Sequence, residues 1–306
     1  MSEGSFESEV FTSNPETTLD GVLYLVIGSL GVVGHLATLL TFMKGNILHS
    51  PKHVLHLHFN LANIGVIILF ALPGMSLING RWMFGDDACN LYGFVTFFSG
   101  LSAIGFIAAL ALERYLVNCW TDLYCRLSAG HIHLLALLIW AQGLFWAAMP
   151  ATRSWSRYAY EPGRMTCNLD WTSADDSHAS FIRTITVICF IVPFTSVAFC
   201  LALANMAVDK KEAEEEKGDC MTERQLLKIT GFTVVMALLT WTPCASNCLY
   251  SAVVGGDKNP SFIRVAVPAL AAKAGTSLVS LIYPSLSPQF RYGLTRMLVG
   301  TDKKEL

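Results

Sequence analysis

The chain has 306 residues, 53% of them hydrophobic and 14% charged, with a formal net charge of −2 at pH 7. A soluble domain carries roughly a quarter charged residues, so the composition speaks against a soluble globular protein, and without a basic excess there is no call for a nucleic-acid partner. The apolar residues fall in recurrent stretches of about 20, the length that crosses a hydrocarbon core of roughly 30 Å as a helix.

Seven such stretches follow one another along the chain. The first, near Asp20–Met43, comes after an acidic segment, residues 1–19, that holds Glu3, Glu7, Glu9 and Glu16. That segment lacks a basic stretch before an apolar run, so no cleaved signal peptide is expected. The second lies near Val54–Ile78 and contains Pro73. "NGRWMFGDD" separates it from the third, near Cys89–Leu112, which runs on into Glu113, Arg114 and Tyr115. The fourth lies near His131–Arg153, and the fifth, near Ser180–Met206, contains Pro193. After "DKKEAEEEKGD", Glu223 in "MTERQLLK" opens the sixth, near Gln225–Val253, which carries Pro243. "GGDKNP" precedes the seventh, near Phe262–Tyr283, with Pro268 and Lys273 inside. Neighbouring helices tolerate such prolines in membranes. No repeat, separate soluble domain or metal-ligand cluster is read. The prediction is an all-α membrane protein, a seven-transmembrane helix bundle over residues 20–285.

Basic residues collect in the first, third and fifth connections and the tail, at Lys44, Lys52, Arg126, Lys210, Lys211, Arg224, Lys228, Arg291 and Arg296. Arg153, Arg157 and Arg164 in the fourth connection oppose the trend. By majority, the N-terminus lies outside and the C-terminus in the cytosol. Nine cysteines cannot all pair. Most sit in spans, where Cys acts as a small apolar residue; Cys89 and Cys167 face the oxidising side and make the best pair.

Two groups of charges lie where a membrane disfavours them. Arg114, flanked by Glu113 and facing Glu223, can form a charge-assisted pair at the boundary, or these residues simply anchor the helices at the interface. Lys273 lies deeper, roughly 12 Å from Val265 and 16 Å from Pro284 along the helix. An ionised Lys there costs at least about 2.5–3.5 kcal/mol. It lines a water-filled transport path, pairs with a buried carboxylate, or, as a neutral amine, forms a Schiff base with an aldehyde. Burial alone leaves all three open.

The seven spans, "ERY" after the third, "WTP" in the sixth and "PALAAK" in the seventh together resemble the opsins. The spacing from Lys273 to "QFR", Gln289 to Arg291, resembles the run into the amphipathic eighth helix of that family, here within residues 286–306. The resemblance covers nearly the whole chain except the first 20 residues and the third inner loop. It implies retinal bound as a Schiff base on Lys273. It also implies Trp241 as a ligand contact and Glu113, Arg114, Glu223 and Tyr283 as switch residues. The outer loop "SWSRYAYEPGRMTCNLDW" resembles the opsin second outer loop and supports the Cys89–Cys167 pairing.

Departures from the pattern narrow the reading. Tyr92 stands where vertebrate visual pigments carry the counterion of the Schiff base. A buried protonated imine still needs an anion, and Glu161 matches the loop Glu that serves in invertebrate-type opsins. Six extended residues reach at most about 20 Å, so a loop pinned at Cys167 can fold Glu161 inward. Gly65 replaces the usual Asp of the second span, His35 the usual Asn of the first, and Val279-Ser280 the Asn-Pro before Tyr283. These losses resemble the group of retinochrome, the retinal G protein-coupled receptor and peropsin. The expectation is a retinal photoisomerase that binds all-trans-retinal in the dark and makes the 11-cis isomer, with a retinal-carrier protein as partner. The alternative is a bistable light-activated receptor that couples to a G protein. Tyr92, Trp241, Phe94, Phe97, Phe98, Phe190 and Phe194 are the candidate pocket walls. The C-terminal Lys303-Lys304-Glu305-Leu306 resembles a cytosolic dilysine signal and favours ER-type membranes, with the plasma membrane as alternative.

Overall fold

The computed structural model describes residues 14–44, 54–161, 163–170, 173, 175–211, 223–255 and 262–299. The first span is the helix Pro15–Lys44, which starts before the expected Asp20. Asn14 begins it: its side-chain oxygen accepts from the Thr17 N–H at 2.8 Å, and its own N–H donates to Thr17 Oγ1 at 3.1 Å. This reciprocal cap satisfies two backbone donors that a helix start leaves open.

The second span is two helices, Val54–Ile67 and Ala71–Ile78. Pro73 has no N–H for the carbonyl of Leu69, which accepts from Leu72 instead at 3.1 Å. The third span, Gly85–Cys119, is the longest helix among the described residues and packs against the second, fourth, fifth and sixth spans. The fourth is Ala129–Ala151. The fifth runs from Asp176–Ile185 through a π-helical stretch, Thr186–Ile191, into Val192–Lys211, so the widened turn lies directly before Pro193. The sixth is Glu223–Val254. The seventh, Phe262–Val279, breaks at Ser280 and resumes as Ile282–Leu286. An eighth helix, Pro288–Val299, buries Phe290 and leaves Tyr292 72% exposed, the amphipathic pattern expected of it.

Six of these spans are long and apolar enough to cross a membrane, and the seventh has a shorter apolar stretch, Ala266–Val279. Leu30, Leu137, Phe199 and Leu239 are exposed on the outer surface of the bundle, as membrane spans require. The first and seventh spans meet closely at Gly34, where an added Cβ would lie 2.3 Å from Ser280 Oγ. Small residues at such crossings let membrane helices pack.

Between the fourth and fifth spans, strands β1 (Tyr158–Tyr160) and β2 (Cys167–Leu169) form an antiparallel hairpin. The Cys89–Cys167 disulfide ties β2 to the third span, with Cα atoms 5.4 Å apart. Tyr158 adds a second tie, donating from Oη to the Ala147 carbonyl at 3.0 Å. Burial holds that phenol above its usual range.

Candidate ligand-binding site

Beneath the hairpin, the spans enclose a cavity whose lining includes Lys273, Glu161, Tyr92 and Trp241. Lys273 comes from the seventh span, and its Nζ donates to the Val66 carbonyl at 2.8 Å. The break in the second span explains that partner. In a continuous helix the Phe70 N–H would reach Val66, but it bonds Ile67 at 2.9 Å. The ammonium also lies 5.3 Å from the Tyr92 ring centroid, within cation–π range.

Glu161 directly follows β1 and is only 6% exposed. Its N–H donates to the Thr166 carbonyl at 2.9 Å, which holds the chain back over the cavity. Its carboxylate accepts from Thr166 Oγ1 and, at 3.3 Å, from Asn168 Nδ2. The hairpin thus both buries the acid and supplies its hydrogen bonds. Trp241 also lines the cavity, and Gly100 lets its ring approach the third span closely: a Cβ there would lie 2.6 Å from Trp241 Cη2.

The aromatic candidates divide. Phe97 and Phe190 line the cavity, whereas Phe94, Phe98 and Phe194 do not. Phe97, Leu101 and Ile104 share one helical face. Phe94 and Phe98 stack on each other at 6.0 Å, and Phe98 approaches Trp140 at 5.2 Å. Phe194 packs edge-on against Phe190 at 4.9 Å within the helical core. The cavity also takes in residues that the sequence reading passed over, among them Tyr24, Thr96, Cys189, Cys244 and Cys248. Trp241, Cys244, Ala245 and Cys248 sit at i, i+3, i+4 and i+7, a face that could have been counted off from Trp241.

At the other end of the bundle, Arg114 is fully buried. Its Nη2 lies 2.8 Å from Glu113 Oε2 and its Nη1 2.6 Å from Glu223 Oε2, linking the third and sixth spans. Tyr124 donates to Glu113 Oε1 at 3.0 Å. Burial, together with that carboxylate, pushes its phenol up. Tyr283 hydrogen-bonds His56 Nδ1 and packs among Phe42 and Phe290, with ring centroids 5.3 and 5.7 Å away.

His35, in place of the usual Asn, bridges three spans. Its Nε2 lies 2.9 Å from the Thr276 carbonyl oxygen and its Nδ1 2.5 Å from Asn60 Oδ1. The seventh-span break again provides the acceptor, because the Ser280 N–H turns to Ser277 at 3.3 Å. Where the second span has Gly65, Ser99 Oγ fills the space, 2.2 Å from where a Cβ would be.

Comparison with known proteins assigns this architecture to a class. The profile described as "7 transmembrane receptor (rhodopsin family)" matches residues 34–274, and the chain belongs to that family, as an opsin. It is 27% identical to the visual pigment-like receptor peropsin of Homo sapiens over 290 residues, covering 93% of this chain and 86% of that one. Retinochrome of Todarodes pacificus is 28% identical over 267 residues, covering 86% of this chain and 87% of the relative. The RPE-retinal G protein-coupled receptor of Bos taurus is 27% identical, covering 91% and 90%. The crystal structure of squid rhodopsin shares the fold, with a TM-score of 0.83 at 22% identity over 95% of this chain and 88% of that one.

Proposed function

We propose that this opsin binds retinal covalently through Lys273 and acts as a photoisomerase, taking all-trans-retinal in the dark to the 11-cis isomer in light. The carrying observation is one amine and one buried carboxylate, Lys273 and Glu161, lining a single cavity with apolar and aromatic walls. Those groups fit an elongated apolar aldehyde. Lys273 would hold it as a protonated imine, and Glu161 would balance the charge. Retinal supplies light absorption and the double bonds that turn. The protein's own part is to position and exclude: Thr166 and Asn168 hold the carboxylate, while Trp241, Phe97 and Phe190 restrict the space in which a bond can rotate.

Isomerisation is favoured over signalling by the region between the cavity and Tyr283. There, Asp and Asn-Pro are absent at Gly65 and Val279-Ser280, and His35 closes the first, second and seventh spans with direct hydrogen bonds. In this reading the hairpin end faces outside or the lumen, the Arg114 end faces the cytosol, and a retinal-carrier protein exchanges the ligand. Lys303 to Leu306, which carry the ER-type expectation, lie outside the described residues, as do residues 212–222 of the third inner loop. Extraction of retinal before and after illumination tests the proposal: all-trans in the dark and 11-cis after light is expected, and the reverse order would sink it.

The second reading, a bistable receptor coupled to a G protein, draws on the Arg114 pairs to Glu113 and Glu223 and on Tyr283. Light-dependent nucleotide exchange on a purified G protein would favour it.

A further inference from the structure

The Lys273–Glu161 pair leaves two phenol oxygens of the cavity unused. Tyr24 of the first span and Tyr92 of the third both line it, and each is 4% exposed. Among the described residues, neither phenol oxygen has a hydrogen-bond partner in the protein. Tyr158, Tyr124 and Tyr283, by contrast, bond the Ala147 carbonyl, the Glu113 carboxylate and His56. The hydroxyl, amide and amine side chains elsewhere in the wall are also engaged: Thr96 and Thr186 with carbonyls of their own spans, Thr166 and Asn168 with Glu161, and Lys273 with Val66. A buried hydroxyl is costly to leave without a partner, so the partner for Tyr24 and Tyr92 comes from inside the cavity. Packing fixes where that is. Tyr24 forms a cluster with Leu77, Met165 and Leu270. Met165 directly precedes Thr166, which holds Glu161, and Leu270 lies three residues before Lys273, on the same face of the seventh span. Lys273 Nζ stands 5.3 Å from the Tyr92 ring centroid. Both phenols therefore border the amine end of the cavity.

We propose that Tyr24 is a further catalytic residue of this site: with Tyr92 it hydrogen-bonds the oxygen that an aldehyde brings to Lys273 and the water that leaves in its place. The proposal rests on Lys273 as the imine-forming residue and adds the groups that help make and break that bond. The Lys273 ammonium and an aldehyde give a protonated imine and one water. A C–N bond forms, the bond between carbon and oxygen breaks, and two of the three ammonium protons leave on the oxygen. Glu161 takes the first of these protons, which frees the nitrogen lone pair. It gives that proton back to the departing oxygen and so ends as the carboxylate beside the imine. The phenols hold the oxygen while negative charge builds on it and relay its protons. Hydrolysis runs the same steps backwards, with the phenols holding the incoming water. Apolar walls alone would give that oxygen no donor. Phenols supply one without placing a second negative charge beside the imine.

The full-length protein in phospholipid nanodiscs, without retinal, is treated with butyraldehyde and sodium cyanoborohydride, whose hydride fixes an imine as a butyl amine. Peptide mass spectrometry follows Lys273, with the exposed Lys228 as internal reference. Expected is labelling of Lys273 that Tyr24→Phe slows about tenfold or more, with Lys228 unchanged. Because the phenol has no protein partner to lose, the melting temperature of empty Tyr24→Phe should match or exceed that of the unsubstituted chain. Equal labelling of Lys273 in both proteins overturns the proposal. So does a lowered melting temperature, which would make the phenol a structural group, and no label on Lys273 at all overturns it together with the imine reading. All-trans-retinal then separates the two readings. Pigment that forms, and decays in hydroxylamine, at the same rates in Tyr24→Phe overturns the proposal and leaves Lys273 as the retinal anchor. Butyraldehyde labelling slowed by Tyr24→Phe, without visible pigment in either protein, counts against retinal and leaves Tyr24 in its role.

Discussion

Lys273 Nζ hydrogen-bonds the Val66 carbonyl at 2.8 Å, a carbonyl released because the second span breaks after Ile67. A lysine that costs several kcal/mol in a membrane is thereby held by a backbone dipole at the cavity wall. Lys273→Ala should abolish visible absorbance after incubation with retinal, while the protein remains folded. Absorption spectra and acid-trapped retinal adducts check this, and an intact visible band would refute the anchor.

Glu161 is fixed by Thr166 and Asn168 rather than left in solvent. With Glu161→Gln, the imine should lose its proton at neutral pH and absorption should move to the ultraviolet. Thr166→Val should shift the band in the same direction by less, since the acid itself stays. An unchanged spectrum in Glu161→Gln would mean that another anion serves.

Arg114 holds two carboxylates from two spans while fully buried. Arg114→Ala should destabilise the protein by about 3–5 kcal/mol, because it strands Glu113 without its cation. Glu223 is 26% exposed, so Glu223→Gln should cost less, roughly 1.5 kcal/mol. Thermal unfolding in detergent orders the two. Equal losses would show that the Glu113 partnership carries little.

His35→Ala should cost roughly 1–3 kcal/mol by leaving the Thr276 carbonyl and Asn60 amide buried without their shared partner. Ser29→Ala, at an exposed hydroxyl bonded within its own helix, is the control and should leave the melting temperature unchanged.

The Cys89–Cys167 disulfide closes a chain separation of 78 residues and holds the hairpin that carries Glu161. Cys167→Ser should lower stability by about 2–5 kcal/mol and should also weaken pigment formation, since Glu161 loses its mooring. Loss of stability with undiminished pigment would separate the disulfide from the site.

Much of the bundle was legible because membrane spans declare themselves by length and apolarity, and because a lysine inside one is electrostatically conspicuous. Cys89 and Cys167, likewise, were the cysteines left on one face once the spans were drawn. The pocket wall was less legible. Phe94, Phe97 and Phe98 are the same residue type within five positions, and only their placement along and around the packed third span decides that Phe97 meets the cavity. Cys244 and Cys248 were hidden by their chemistry, since a thiol in a span counts as a small apolar residue until a cavity is found beside it.

Taken alone, the amino-acid order determined the seven spans, the depth of Lys273 and the missing Asn-Pro before Tyr283, all of which follow from local composition and register. Tertiary structure decided which partners those residues meet. The helix breaks at Ile67 and Ser280 release the carbonyls that Lys273 and His35 take, and the hairpin buries Glu161 over the lysine's cavity. Such contacts join residues as much as 241 positions apart. They depend on backbone groups and helix rotations that carry no mark in the sequence.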